Sequence, residues 1–247
     1  MNFITLAFFV FLAVAALVYY ILPRIARAAW LLCCSYVFYL YDPANAGYIV
    51  LLCAATLVTW GAGLVLERAQ RPAARKAALA VCVAVCIGSL GFYKYAGMVT
   101  QWLNGLWGLF GQKDAFTAPG FAVPLGISYF AFMALGYAID VYRGKPAEHN
   151  IVHYALFVSF FPCIVTGPIE RGEHILPQLA SPAPFEYGRF CGGMFRILWG
   201  LFKKLVVADN IGVIVAAVYG NVGQEAYTGP VFLLASVLFS YQLYCDF

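Results

Sequence analysis

Three long runs of apolar residues dominate the first hundred positions of this chain, at 3–22, 48–66 and 77–92. Each approaches or reaches the roughly 18–20 residues that a helix needs to cross the hydrocarbon core of a bilayer. The whole chain is 64% hydrophobic and 11% charged, whereas soluble globular proteins are about 45–50% apolar and about 25% charged. The sequence therefore predicts an all-α, polytopic transmembrane helical protein.

The Lys and Arg residues of the short loops predict an orientation. Arg24 and Arg27 follow the first run, the loop 41–47 has no Lys or Arg, and the loop 67–76 is rich in both. Because short cytoplasmic loops are enriched in Lys and Arg, we expect the N-terminus outside and residues 67–76 in the cytoplasm. No basic residue precedes the first run, so it is predicted to be an uncleaved span rather than a signal peptide.

Proline and glycine interrupt the apolar sequence at 118–141 and again at 160–177. Backbone groups freed by such residues are tolerated in a membrane only where protein or a wet cavity satisfies them. We therefore predict one re-entrant or broken element around residues 157–177. A short interfacial helix is predicted at 95–111, because its Trp and Asn side chains suit the headgroup boundary.

Composition and motif searches exclude several function classes. The net charge of +4 is small and scattered, which argues against a nucleic-acid partner. Cys82 and Cys86 stand four residues apart with no second ligand pair nearby, so no metal site is predicted. The sequence has no nucleophile elbow and no P-loop. The histidines show no obvious mid-span partner; they are His149, His153 and His174.

Two polar segments follow the breakers, and each leaves two interpretations open. Asp140 and Arg143 are three residues apart, so they could pair on one helix face as the helix leaves the membrane. Such a pair would be an ordinary interfacial ion pair or part of a functional lining. The second segment forms either a solvated loop or the lining of a cytoplasmic funnel; it contains Glu170, Arg171, Glu173 and His174.

A basic stripe recurs every seven residues at Arg189, Arg196 and Lys203. This spacing keeps the three cations on one helical face, with a drift of about 20° per step. The stripe could extend to anionic lipid headgroups, or it could attract a phosphate-bearing acyl donor through Arg forks. Small residues one turn away would allow close approach; they are Gly192, Gly193 and Gly200.

Four stretches together resemble a known family. They are "VPLGISYFAFMALGYAIDVYRG", "FVSFFPCIVTGPIERGEHILPQL", "GLFKKLVVADNIG" and "SYQLYCDF", in that order along 121–247. Their residues and spacing resemble the membrane-bound O-acyltransferase family, most nearly its bacterial alginate O-acetyltransferase branch, with the D-alanine-exporting teichoic acid branch as a cousin. Residues 1–120 match this family only in hydropathy. Cys163 stands where the family usually carries a polar residue.

The resemblance implies a tunnel fold with a thin waist, of which residues 1–247 form an N-terminal portion. It implies a single transmembrane domain with peripheral helices at 1–120 and a funnel region at 121–247. The polar residues that match the motifs are expected to line the funnel or waist: Arg143, Arg171, Lys203, Lys204, Gln242 and Asp246. The resemblance also implies a catalytic histidine downstream of residue 247. No catalytic residue is therefore predicted within this chain, and the piece 1–247 alone is expected to be inactive.

The implied reaction is O-acylation, most simply O-acetylation, of a cell-envelope polysaccharide such as alginate. A neutral imidazole would act as general base on the acceptor hydroxyl while a dry waist holds the thioester carbonyl. The resemblance implies acetyl-CoA or an acyl carrier protein as donor, without a tightly bound cofactor. It also implies contact with membrane lipids, an extracytoplasmic acetyltransferase partner and a place in the bacterial cytoplasmic (inner) membrane. The alternatives are a membrane transporter, or an acyl-conducting or structural subunit of an envelope-modification complex.

Asp246 ends an apolar run that begins near position 231. A carboxylate inside a bilayer costs roughly 2.5–3.5 kcal/mol on insertion scales unless a partner compensates it. We expect that partner to come from helices downstream of Phe247.

Overall fold

The computed structural model describes residues 5–108, 117, 120, 122–165, 167–222 and 227–247. Every regular element among these residues is helical, which confirms the all-α prediction. The chain divides into two compact units, Met1–Ala183 and Pro184–Phe247. The functional division at residue 120 that the motifs suggest stays a prediction.

The first unit holds the helices α1 to α9. They are α1 (Leu6–Ile21), α2 (Arg24–Leu40), α3 (Ile49–Arg68), α4 (Pro72–Leu90), α5 (Ala96–Gly108), α6 (Ile127–Tyr142), α7 (Ile151–Ser159), α8 (Phe161–Ile164) and α9 (Gly172–Ala180). A 3₁₀ turn, Pro43–Tyr48, precedes α3, and a π-helical segment, Gly91–Tyr95, joins α4 to α5. The second unit contains α10 (Tyr187–Phe202), a π-helical segment (Lys203–Ala208), α11 (Asp209–Gly220) and α12 (Gly229–Asp246).

Within the part of the chain that the structure describes, two continuous helical stretches are long and apolar enough to cross a membrane, Pro43–Arg68 with 26 residues and Pro72–Gly108 with 37. Three shorter apolar helices are Leu6–Ile21, Ile127–Tyr142 and Ile151–Ile164. The first of these is shorter than its apolar run. It begins after the cap residue Thr5 and ends at Ile21. Leu22, the residue before Pro23, is extended, because a residue before a proline disfavours the α conformation.

The predicted short interfacial helix at 95–111 is helical over its described part but is not separate from α4, and its place at the membrane interface stays a prediction. Residues 96–108 continue α4 through the π-helical segment, so the helix runs unbroken from Pro72 to Gly108. No proline interrupts the sequence between Ala73 and Gly108, and a π-helical turn absorbs local strain without ending a helix. Residues 109–111 lie outside the described part of the chain.

The core of the first unit lies where α3, α4, α6 and α7 meet. The rings of Tyr137 and Tyr154 pack with their centroids 4.7 Å apart, and the Tyr154 hydroxyl donates a hydrogen bond of 2.8 Å to the hydroxyl of Thr59. Gly63 makes room for Tyr137, because a Cβ added at Gly63 would lie 2.8 Å from the Tyr137 ring. Small and aromatic residues thus bring α3 and α6 into close contact.

The predicted broken element around residues 157–177 is confirmed as a break. Helix α7 ends at Ser159 and α8 begins at Phe161. The N–H of Phe161 donates to the side-chain oxygen of the buried Ser35, 3.2 Å away. One backbone donor exposed by the break therefore has a partner from α2, as an apolar surrounding requires.

Gly126, at the start of α6, allows the broken segment to pack closely. Its φ of +69° lies in the left-handed region, and a Cβ added there would overlap the carbonyl oxygen of Ile164 at the end of α8. Any other residue at position 126 would therefore be strained both by its backbone and by its neighbour.

We expect Gly126→Ala to destabilise the protein by about 1–3 kcal/mol, because of the left-handed φ and the overlap with Ile164. Gly136→Ala is the matched control within α6, since a Cβ at Gly136 has open space around it. It should be neutral or stabilising by about 0.5–1 kcal/mol, because Ala is the better helix former. Thermal unfolding of the purified protein in detergent measures both. Equal shifts for the two variants would contradict the close packing.

Candidate functional site

The second unit contains a partly exposed cluster of charged side chains around Lys204. The Nζ of Lys204 lies 2.6 Å from an oxygen of Asp246 and 2.8 Å from an oxygen of Asp209. Lys204 and Asp209 lie at opposite ends of the π-helical turn, and the N–H of Asp209 donates to the carbonyl oxygen of Lys204. The wider π-helical turn, with its i to i+5 spacing, brings these two side chains together.

This pairing corrects the prediction that the partner of Asp246 comes from helices downstream of Phe247. Lys204 of this same chain compensates the carboxylate, so no residue downstream of Phe247 is needed for that purpose. The side chains of Asp246 and Lys204 are 20% and 34% exposed, so the pair is partly shielded from solvent. With one ammonium and two carboxylates, this cluster has a formal charge of −1.

Gln242 lies one turn before Asp246 on α12 and faces α11. Its side-chain Nε2 would stand 3.0 Å from a Cβ added at Gly212, so the glycine lets this amide lie directly against the α11 backbone. The side-chain oxygen of Gln242 is buried without a hydrogen-bond partner among the described residues. An unsatisfied buried acceptor is costly, so its presence requires an explanation, of which a functional role is one.

Of the six residues predicted for the funnel or waist, the structure joins Lys204 directly to Asp246. Gln242 lies one turn before Asp246 on the same helix. The Nζ of Lys203 lies 5.7 Å from the centroid of the Tyr244 ring. Cations at this distance are attracted to the face of an aromatic ring.

The other two predicted residues, Arg143 and Arg171, belong to the first unit and lie near a cavity of about 350 Å³. The possible ion pair of Arg143 with Asp140 is wrong, since Asp140 pairs with Lys145 at 3.4 Å. Gly144, with a φ of +103°, reverses the chain after α6, and the Lys145 N–H donates to the Asp140 carbonyl oxygen. Lys145 thereby takes the place that helical spacing assigned to Arg143, which is exposed.

Two residues of the segment 170–174, Gly172 and Glu173, line that cavity, whereas Arg171 and His174 are exposed. Glu173, in the first turn of α9, accepts a hydrogen bond from Lys145, while Arg171 lies 3.9 Å from Glu173. The hydrogen bond to Lys145 lowers the pKa of Glu173, and the same bond raises the pKa of Lys145. The stability that this pair contributes is lost as pH falls through the lowered carboxyl pKa, or rises through the raised ammonium pKa. The pair is therefore intact near pH 7.

The loop 144–150 beside the cavity is held by side chains of α3 and α6. Glu67 accepts the N–H of Ala147 at 2.9 Å and lies 3.0 Å from the imidazole of His149. The indole N–H of Trp60 donates to the carbonyl oxygen of Glu148, and the Tyr137 hydroxyl accepts the N–H of Glu148 at 2.8 Å. The structure gives this loop a fixed conformation through partners that are distant in sequence.

The histidines all belong to the first unit, and none lies in the middle of an apolar helix. His149 faces Glu67 from the loop, and His153, in the first turn of α7, is 3.9 Å from Glu148. His174 is exposed beside Glu173. Among the residues that the structure describes, no group of three or more His, Cys, Asp or Glu side chains is arranged to hold a metal ion.

Sequence reasoning missed Asp209, Lys145 and Glu67. Asp209 and Lys204 are five residues apart, a spacing that does not align side chains on an α-helix and that only a π-helical turn makes meaningful. The position of Glu67, an acid at the end of a long apolar run, is a sequence signal for a residue that needs a polar partner. Its partners at positions 147 and 149 could not be identified from spacing alone.

Comparison with known proteins gives this arrangement a context. The chain is 32% identical over 243 residues to a protein named "Probable alginate O-acetylase AlgI" of Pseudomonas aeruginosa, with 97% of this chain and 45% of that protein covered. It is 29% identical over 274 residues to a peptidoglycan O-acetyltransferase of Helicobacter pylori, covering 97% and 50%. A teichoic acid D-alanyltransferase of Lacticaseibacillus rhamnosus is 27% identical over 90 residues, which are 36% of this chain and 22% of that protein.

These relatives confirm the family resemblance of the four motifs. Their names are consistent with a membrane-bound O-acyltransferase-like protein. The similarity covers 97% of the chain, so it extends into residues 1–120, where the sequence alone showed a match in hydropathy only. The chain spans about half the length of the curated relatives that match it over nearly its whole length. No family model and no solved structure matches the chain.

Replacing Glu67 by Ala should loosen the loop 144–150, because the N–H of Ala147 and the imidazole of His149 both lose their partner. A lost buried hydrogen bond costs about 1–3 kcal/mol, so tryptic cleavage after Arg143 should accelerate about tenfold, since cleavage follows the open population. Glu170→Ala is the control, as Glu170 has no assigned contact to this loop. Cleavage that is equally fast in both variants would contradict the fixed loop.

Proposed function

We propose that this protein acts as a membrane O-acyltransferase that transfers an acetyl group to a hydroxyl of a cell-envelope polysaccharide. The observation that carries the proposal is the similarity over 97% of the chain to proteins named as alginate and peptidoglycan O-acetyltransferases. The four motifs and the cluster at Lys204 support it. Transporter and structural alternatives have no comparable observation in their favour.

The proposed reaction is an acyl transfer from sulfur to oxygen. The acceptor hydroxyl oxygen attacks the thioester carbonyl carbon, the new C–O bond forms and the C–S bond breaks. The hydroxyl proton passes to a general base, and the leaving thiolate takes up a proton. We propose a neutral imidazole as that base. None of His149, His153 and His174 is given this role, because each lies at a loop or helix end beside a carboxylate. Acetyl-CoA or an acyl carrier protein is the proposed donor.

We also propose where this chemistry takes place. The apolar stretches Pro43–Arg68 and Pro72–Gly108 support a multi-pass protein of the bacterial inner membrane, and the loop charges support an N-terminus outside. In this arrangement the motif-matched polar residues line the funnel or the waist of a tunnel fold; they are Arg143, Arg171, Lys203, Lys204, Gln242 and Asp246. An extracytoplasmic acetyltransferase partner would complete delivery to the polysaccharide.

Gln242 has a direct part in this proposal. Lys204 satisfies the two aspartates, whereas the side-chain oxygen of Gln242 is buried with no hydrogen-bond donor among the described residues. That oxygen is therefore available to a donor group of a substrate, such as an amide N–H of a pantetheine arm or the acceptor hydroxyl. A buried polar group left for the substrate gives both orientation and selectivity.

Transfer of labelled acetyl from acetyl-CoA or acetylated carrier protein, measured with the complete gene product in vesicles, tests the function. We expect transfer by the unaltered protein and a loss of about tenfold in Gln242→Leu, corresponding to about 1.4 kcal/mol of transition-state stabilisation. Ser240→Ala is the control on α12, since the Ser240 hydroxyl only donates to the Ser236 carbonyl oxygen.

The proposed function would be contradicted if the protein neither binds either donor nor transfers its acetyl group. Transfer that proceeds equally well in Gln242→Leu would leave the function in place and exclude a role for this side chain. Thermal unfolding of each variant separates a loss of activity from a loss of folding.

A further inference from the structure

Helix α10 has an exposed surface on all sides. It runs from Tyr187 to Phe202 and contains no buried residue. Large apolar side chains are well exposed on it, with Phe195 at 69%, Leu198 at 60% and Trp199 at 54%. Exposed apolar area of this extent in one helix indicates contact with another medium or molecule.

The side chains of α10 separate into two faces. At 100° per residue, Arg189 and Arg196 share one face with the three glycines Gly192, Gly193 and Gly200. The opposite face is apolar; it includes Phe190, Met194, Leu198, Leu201 and Phe202. A Cβ added at any of the three glycines would have open space around it among the described residues, so the basic face has exposed backbone between its two arginines.

This helix is poorly suited to crossing a bilayer. A π-helical segment, Lys203–Ala208, continues α10 into α11 without a break, so length alone does not exclude a crossing. Four cations within 187–204 make this part of the helix costly to place in hydrocarbon; they are Arg189, Arg196, Lys203 and Lys204. An amphipathic helix with Phe and Leu on one face and Arg on the other is typical of segments that lie in the plane of the membrane interface.

We propose that α10 lies flat in the membrane interface and docks through its basic face on the phosphates of anionic phospholipids. Charge complementarity selects this occupant: the arginines Arg189 and Arg196 are followed by Lys203, and cytoplasmic membrane surfaces are negatively charged. No ion pair joins Arg196 to a described residue, whereas Arg189 lies 2.9 Å from Glu186. Arg196 is therefore the principal phosphate-binding residue of this surface.

The glycines give the basic face its second property. Without side chains at Gly193 and Gly200, a headgroup can approach the helix backbone beside Arg196, and the guanidinium can then bind phosphate with two parallel hydrogen bonds. The apolar face anchors the helix from below, because Phe190, Leu198 and Leu201 reach the acyl chains. This inference concerns α10 alone and does not depend on the proposed acyl transfer.

The test measures how deeply each face of α10 lies in the membrane. A nitroxide-bearing unnatural amino acid is placed at Phe190, Leu198, Gly193 or Gly200 of the complete protein in vesicles, which leaves the eight native cysteines unchanged. Collision rates are measured with oxygen, which concentrates in lipid, and with a water-soluble nickel chelate. We expect the oxygen-to-nickel ratio to be several times higher at Phe190 and Leu198 than at Gly193 and Gly200, and similar within each pair.

A ratio that changes along the helix, between Phe190 and Leu198, would overturn the proposal in favour of a spanning helix. Low collision rates with both reagents at all four positions would overturn it in favour of a face covered by protein.

The lipid itself is tested by comparing phosphatidylcholine vesicles with vesicles that also contain phosphatidylglycerol. We expect the anionic lipid to reduce nickel collisions at Gly193 and Gly200 severalfold, and Arg196→Gln to abolish that reduction. Arg68→Gln, in the last turn of α3, is the control and should retain it. If phosphatidylglycerol has no effect and added coenzyme A reduces the collisions instead, the basic face binds a soluble phosphate donor and the proposal is wrong.

Discussion

The cost of leaving a buried polar group without a partner is the constraint on which the rest of this structure depends. A backbone group freed by a break among packed helices and a charge beside an apolar helix each need a partner. Ser35 accepts the N–H of Phe161 at the break between α7 and α8, and Asn45 accepts the N–H of Leu125 ahead of α6. Both acceptors are buried, and both are more than seventy positions from their donors.

The same constraint explains the charges of the second unit. Lys204 lies between Asp209 and Asp246 at hydrogen-bonding distance from each, so the chain itself compensates an acid that its sequence places at the end of an apolar run. The π-helical turn is the means by which this is achieved, since it places an i, i+5 pair side by side. The side-chain oxygen of Gln242, one turn before Asp246, is buried without a hydrogen-bond partner among the described residues.

Local sequence predicted the features that depend on local physics. The apolar runs became helices, and the prolines and glycines near position 160 predicted a real break, because each signal acts within a few residues. Two pairings failed for a common reason. Asp140 pairs with Lys145 instead of Arg143, because Gly144 reverses the chain after α6. Asp246 pairs with Lys204, which lies forty-two positions earlier in the chain. Neither a left-handed glycine nor a π-helical turn is fixed by the residues beside it, so helical spacing could not reveal the partners.

The central claim, that Lys204 and Asp246 satisfy one another within this chain, is tested most directly by a double-mutant cycle. The free energy of unfolding is measured in detergent for Lys204→Met, for Asp246→Asn and for the two changes combined. The account predicts that the combined loss is smaller than the sum of the single losses by about 1–2 kcal/mol, as for contacting charges. Additive losses, within about 0.3–0.5 kcal/mol, would contradict it.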